Sequence, residues 1–319
     1  MKKVYFLPIV LVAMYLTFTG YQCASTELTS AKLYIQQKNL VKAEEVLLKE
    51  ITNNPRSDEG FYLLGYVHGE NQKIEKMIDA FDKSLAISKR FAQDIQRSKT
   101  FYWANYFNEG VNFFNRATQA QDPDTSKIFY EKSAVAFTLA TKIEPDSVDA
   151  FKNLAFVNMN MGKYEEAIPP LQKLIDLKKA LDGYKFIGEI YYNKGATAQM
   201  QFEETKNVAD SITAQGYFLK AVAILEEGRK YHKDDPDLLL FLSNSYIATN
   251  KMDVALEAFR EGVAREPGNK NYRYNYGVVL LNNNQFGEAA EQFKKALEID
   301  SEYLNAIYNI AVTYVKWGA

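Results

Sequence analysis

Residues 270–303, KNYRYNYGVVLLNNNQFGEAAEQFKKALEIDSEY, space apolar and polar positions as two amphipathic helices would. The polar run 282–285 predicts a turn between them. Gly277 falls in the first helix, and Ala289, Phe293 and Ala296 fall in the second. Small residues at 277, 289 and 296 let the two helices approach closely, while Phe293 fills the space beside them. The pattern recurs 34 residues upstream, where Ser243 replaces Gly277, Ala255, Phe259 and Gly262 follow, and Pro267 closes the copy. A period of this length predicts a stack of helical hairpins, each too small to bury its apolar face alone.

The unit resembles the tetratricopeptide repeat, whose period is 34 and whose signature is a small residue at position 8, an aromatic at 11, Ala at 20, an aromatic at 24, Ala at 27 and Pro at 32. The resemblance implies an all-α fold, a right-handed superhelical solenoid of antiparallel helix pairs. About seven repeats fit, near 24–57, 58–91, 101–147, 148–181, 182–235, 236–269 and 270–303, with a partial eighth at 304–319.

Departures from the period carry their own predictions. The first helix begins near residue 27, capped by Ser25 or Thr26, and the first copy points Ala31, Tyr34, Ala43 and Leu47 inward. The second copy uses Phe61, Leu64, Gly65, Met77, Phe81 and Ser84. Two small positions 12 apart in the opening unit (Gly277, Ala289) lie 23 apart in the third copy (Gly110, Ser133) and 33 apart in the fifth (Gly188, Ala221). In the third copy the first helix is expected over 101–117; Asp122-Pro123 breaks it, and Asp124 or Thr125 caps the restart. In the fifth, residues 196–215 are good helix formers without proline, so they read as extensions of both helices, with a mobile loop as the alternative. Pro169 and Pro170 should kink or delay the second helix of the fourth copy. Asp235-Pro236 reads as a cap followed by a first-turn proline. The partial eighth copy leaves an apolar face uncovered, so either it packs on something else or the chain continues beyond 319.

Composition narrows the role. The chain is 47% hydrophobic and 24% charged, ordinary for a soluble globular protein. Its net charge of −2 argues against nucleic acid as a partner. One cysteine excludes an internal disulfide framework, and two histidines make a His-based metal cluster improbable. Residues 1–22 read as an export signal: Lys2 and Lys3, an apolar stretch over 4–18, then Cys23. This resembles a bacterial lipoprotein signal, which implies lipidation of Cys23, a membrane anchor and a periplasmic or outer-membrane location, with Ala24 favouring the outer membrane. Gln22 departs from the small residue that such a signal carries before its cysteine. A cleaved secretory peptide with a free thiol and an uncleaved anchor are the alternatives.

Candidate chemistry is sparse. His68 reads as a packed core histidine and His232 as a solvated loop one. The pairs Glu44–Glu45, Glu165–Glu166 and Glu226–Glu227 are adjacent on helices, so they diverge by about 100° and read as solvated outer faces. No HExxH, GxSxG, P-loop or GxGxxG pattern occurs. No catalytic residue, metal or cofactor is expected. The family resemblance implies that first-helix positions line a concave groove, here Tyr62, Tyr66, Lys152, Phe156, Lys185, Tyr192, Asn244, Tyr274, Asn282 and Tyr308. Aromatics with amide and lysine punctuation suit a peptide. The carboxylate clamp of some relatives needs Lys at position 5 and Asn at 9 of one copy, and Lys152 is followed by Phe156, Lys185 by Glu189. The expectation is a non-catalytic scaffold or adaptor at the cell envelope; the alternative is a substrate-recruiting arm of an enzyme or sensor with its active domain beyond 319.

Overall fold

A computed structural model describes residues 25–318. Residues 1–22, read above as an export signal, and Cys23 lie outside the described residues. Fifteen α-helices and no strand occur among the described residues. The chain divides into two compact units, Met1–Asn105 with Lys142–Glu144, and Tyr106–Thr141 with Pro145–Ala319.

The first unit holds α1 (Thr26–Gln36), α2 (Leu40–Asn53), α3 (Asp58–Glu70) and α4 (Ile74–Ile87), with the start of α5 (Ala92–Gln119) and the end of α6 (Pro123–Ile143). Ser25 caps α1, its hydroxyl accepting from the Leu28 N–H and donating to Glu50 at 2.6 Å. Glu50 is 1% exposed at a position that holds Ser84, Gly262 and Ala296 in other copies. Gly60 opposite makes the room: a Cβ there would meet the Glu50 Cγ at 2.9 Å. α5 begins at Ala92, earlier than expected, because 92–100 are helix formers and Ile95 is buried.

The second unit holds the rest of α5 and α6, then α7 (Val148–Asn160), α8 (Tyr164–Lys178), α9 (Leu181–Thr205), α10 (Val208–Tyr231), α11 (Pro236–Ala248), α12 (Met252–Arg265), α13 (Lys270–Asn282), α14 (Phe286–Ile299) and α15 (Leu304–Trp317). From α7 on, each helix packs chiefly on its neighbours in sequence, so one apolar core runs from Ala155 to Ala306. Residues 196–215 are helical in α9 and α10, joined through Lys206 and Asn207, so the extended hairpin stands and the mobile loop does not.

Close approach within each hairpin is made as the small positions predict. A Cβ on Gly277 would lie 2.6 Å from the Phe293 ring, one on Gly65 2.4 Å from Phe81, and one on Gly188 2.5 Å from Leu225. Each would have to displace a fully buried side chain.

Two local expectations need correction. Asp122 itself caps α6, accepting from the Thr125 N–H at 2.8 Å, with Pro123 at the first helical position; neither Asp124 nor Thr125 is the cap. The Thr125 hydroxyl, which also donates to Asp122, and then the Thr125 N–H hold the Asp122 carboxyl below its ordinary range. Pro169 and Pro170 do not delay α8, which starts at Tyr164 directly after the turn. Pro170 cannot donate to the Glu166 carbonyl four residues back. The buried Asn158 on α7 supplies the missing donor, its Nδ2 reaching that carbonyl at 2.9 Å.

The hairpin turns repeat a backbone feature that the side chains conceal. Lys38, Gln72, Gly162, Asn250 and Asn284 have φ of 56°, 58°, 70°, 60° and 58°. All occupy one position of the repeat. The residue after each donates five residues back, as Lys73 N does to His68 O at 2.8 Å and Gln285 N to Leu280 O at 2.9 Å.

Candidate partner-binding faces

The proposed groove residues lie on first helices: Tyr62 and Tyr66 on α3 in the first unit, the other eight on α7, α9, α11, α13 and α15 in the second. Tyr62 is half-buried and stacks on Phe91 at 4.5 Å, while Tyr66 packs beside Leu64 and Val67; burial pushes both hydroxyls above the ordinary tyrosine range.

Much of the second unit's set is engaged within the fold. Lys152 pairs with Asp182 at 2.7 Å and lies 5.5 Å from the Phe156 ring centre, and Phe156 meets Phe186 edge-on. Lys185 pairs with Asp237 at 3.1 Å and Asp235 at 3.8 Å. These ion pairs run from one first helix to the start of the next, as Lys32–Glu59 does at 2.5 Å in the first unit. A carboxylate ligand at Lys152 or Lys185 would therefore compete with an aspartate already in place. Burial pushes the Glu189 carboxyl up against the opposing pull of Lys185. Tyr192 leans on Phe218 at 5.6 Å.

Tyr274 is a structural ring as much as a surface one. It packs on Phe293 at 5.7 Å and Tyr303 at 5.1 Å, and its hydroxyl accepts from Asn309 Nδ2 at 2.9 Å. Asn282 and Tyr308 are the exposed members of the set, and Asn244 is a half-exposed amide with no side-chain hydrogen bond among the described residues.

Other residues hold roles that the sequence did not disclose. Asn275, 4% exposed, donates to the Pro236 carbonyl at 3.2 Å and ties α13 to α11. His232 is not a solvated loop histidine: its Nε2 lies 2.6 Å from the Lys179 carbonyl, a donor's position, and its ring leans on Tyr184. His68 is buried, with Nδ1 3.8 Å from Glu44, and burial pulls it below its ordinary value. Of the carboxylate pairs, Glu45, Glu165, Glu166 and Glu226 are exposed, as expected, but several of the six also hold partners. Glu44 pairs with Lys73 at 2.8 Å, Glu165 pairs with Lys194, Glu226 accepts from the Tyr246 hydroxyl at 2.8 Å, and Glu227 from Tyr184 at 3.2 Å. Burial and Glu227 push the Tyr184 hydroxyl up to about 12. Among the described residues no group of three or more His, Cys, Asp or Glu is placed to hold a metal, and no helix is long and apolar enough to cross a membrane.

Residues 242–303 match the tetratricopeptide repeat family model. Among curated relatives, the peroxisomal targeting signal receptor of Saccharomyces cerevisiae is 23% identical over 209 residues, 59% of this chain and 34% of the receptor. Hsp70-Hsp90 organizing protein 1 of Glycine max is 26% identical over 206 residues, 64% of this chain and 32% of that protein. The chain spans about a third of the length of the curated relatives it matches first. Among solved structures, a thermophilic tetratricopeptide repeat protein of Thermus thermophilus is 19% identical, with a TM-score of 0.45, over 67% of this chain and 99% of that one.

Proposed function

We propose that this chain is a non-catalytic scaffold or adaptor that holds a peptide or protein on the first-helix faces of its repeats, at a bacterial cell envelope. Tetratricopeptide repeats generally mediate protein–protein interaction, and two of the relatives are named as a targeting signal receptor and an organizing protein. The observation that carries the reading is the exposed Asn282 and Tyr308, with the half-exposed Asn244, on successive first helices of one unit. Rings supply contact area, and side-chain amides can satisfy a ligand's backbone. Lipidation of Cys23 would fit the fixed position of Ser25: a two-residue tether spans at most about 7 Å, so an anchor there would hold the first hairpin at the bilayer.

Photo-crosslinking in living cells tests this reading. Benzoylphenylalanine placed at Asn244 or Asn282 should crosslink to a common partner, whereas the same group at Glu257 or Glu291, exposed on second helices, should not. Crosslinks only from the second-helix positions would contradict the groove. In the same cells Cys23→Ser should release the protein from the membrane fraction; undiminished retention would contradict the anchor.

A further inference from the structure

The long hairpin of α9 and α10 rises past the turn between α7 and α8, and the step encloses a cleft of about 350 Å³. Its buried floor is Ile190 and Ala198. Tyr164, 51% exposed at the first position of α8, and Tyr217 on α10 stand at its sides. Asn193, Lys194, Thr197 and Gln201 of α9 and Thr213 of α10 complete it. The volume is at the small end of ligand clefts, roughly one or two side chains.

The polar groups define what fits. The Thr197 and Thr213 hydroxyls donate to the Asn193 and Ala209 carbonyls of their own helices. The side-chain amides of Asn193 and Gln201 make no hydrogen bond among the described residues, and each can donate to and accept from a peptide backbone. Lys194 is the one charged side chain lining the cleft, and no carboxylate lines it. Lys194 sits 4.7 Å from the Tyr217 ring centre and pairs with Glu165 outside the lining. Lys220 lies 5.3 Å from the same ring and 5.6 Å from Tyr191, and forms no ion pair among the described residues. Lys194 is thus already matched by a carboxylate, and Lys220, beside the Tyr217 wall and outside the lining, is left without one.

We propose that this cleft binds an extended peptide segment in which an aliphatic side chain is followed by a carboxylate. The aliphatic group lies on Ile190 and Ala198 between the two tyrosines. The amides of Asn193 and Gln201 pair with the segment's backbone, and its carboxylate takes the charge of Lys220, since Glu165 already holds Lys194. This site goes beyond the first-helix groove: it exists because α9 and α10 are longer than their neighbours, and it requires none of Asn244, Asn282 or Tyr308.

Fluorescence anisotropy with the full chain tests it. The probe is fluorescein-labelled Gly-Ser-Leu-Glu-Glu-Gly, compared with versions carrying Ser for Leu or Lys for both Glu. The parent peptide should bind saturably, and each altered peptide should bind at least about tenfold more weakly. Thr213→Trp, at an exposed position, should block the cleft without disturbing the core and weaken binding about tenfold, while Lys220→Gln should weaken it about threefold and flatten its salt dependence. Asn282→Ala should change nothing, which separates this site from the groove. Equal binding of the three peptides, indifference to Thr213→Trp, or no saturation by millimolar peptide would overturn the proposal.

Discussion

Phe293→Ala should destabilise the α13–α14 hairpin by about 3–5 kcal/mol, the range for emptying a fully buried aromatic site. The ring is wedged against Gly277 and Tyr274, so nothing nearby can collapse into the space without moving a helix. In a linear stack the loss should stay local, speeding amide exchange in α13, α14 and α15 before it reaches α7. The partner substitution makes the test specific. Gly277→Leu alone should destabilise by overpacking, about 1–3 kcal/mol, because its Cβ has no room. Placed in the Phe293→Ala background it should recover part of the loss, since it fills the vacated volume and removes a helical glycine. Additive losses in the double variant, measured by urea unfolding followed by circular dichroism, would show that the two residues do not form one contact.

Asn158→Leu should cost about 1–3 kcal/mol, because it strips the donor from the Glu166 carbonyl that Pro170 cannot serve. The substitution is close in volume, so lost packing contributes little. Pro170→Ala restores an in-helix donor for the same carbonyl. The cost of Asn158→Leu should therefore shrink by at least about 1 kcal/mol in a Pro170→Ala background. An unchanged cost in both backgrounds, again by urea unfolding, would mean that Asn158 acts through packing and not through its amide.

Periodic small and aromatic positions make the hairpins legible before any coordinates. Gly65, Gly110, Gly188 and Gly277 each face the large residue that the spacing assigns to them: Phe81, Phe137, Leu225 and Phe293. The extra length of the fifth copy is legible too, since 196–215 contains strong helix formers and nothing to stop them. Three kinds of feature stay hidden. Left-handed turn residues are masked because Lys38 and Gln72 stand where glycine or asparagine would have marked the turn. The prolines of α8 look disruptive because their compensation comes from a different helix through Asn158, a pairing no local pattern encodes. The cap of α6 falls two or three residues earlier than expected because Asp122-Pro123 reads as a break, although its chemistry matches Asp235-Pro236.

The surface is less legible than the core for a related reason. Position in the repeat says which residues sit on the first-helix face, but not which are already spent on internal contacts. Lys152 and Lys185 bind aspartates of the next repeat, and Tyr274 is held by Phe293, Tyr303 and Asn309. Adjacent glutamates such as 226 and 227 look like solvent-facing charge, yet tyrosine hydroxyls from two other helices donate to them. Such partners lie from about 20 to more than 40 residues away in sequence, so only the packed fold discloses them.

Hydrogen–deuterium exchange across residues 25–318 tests the central claim, that hairpins of this chain are ordered by stacking on one another. Protection should follow the helix boundaries, persist through 196–205 and 208–215 with a break at 206–207, and fall on both flanks of α13–α14 when Phe293 is replaced by Ala. Rapid exchange throughout 196–215, or protection elsewhere that ignores the loss of Phe293 in the adjoining helices, would contradict it.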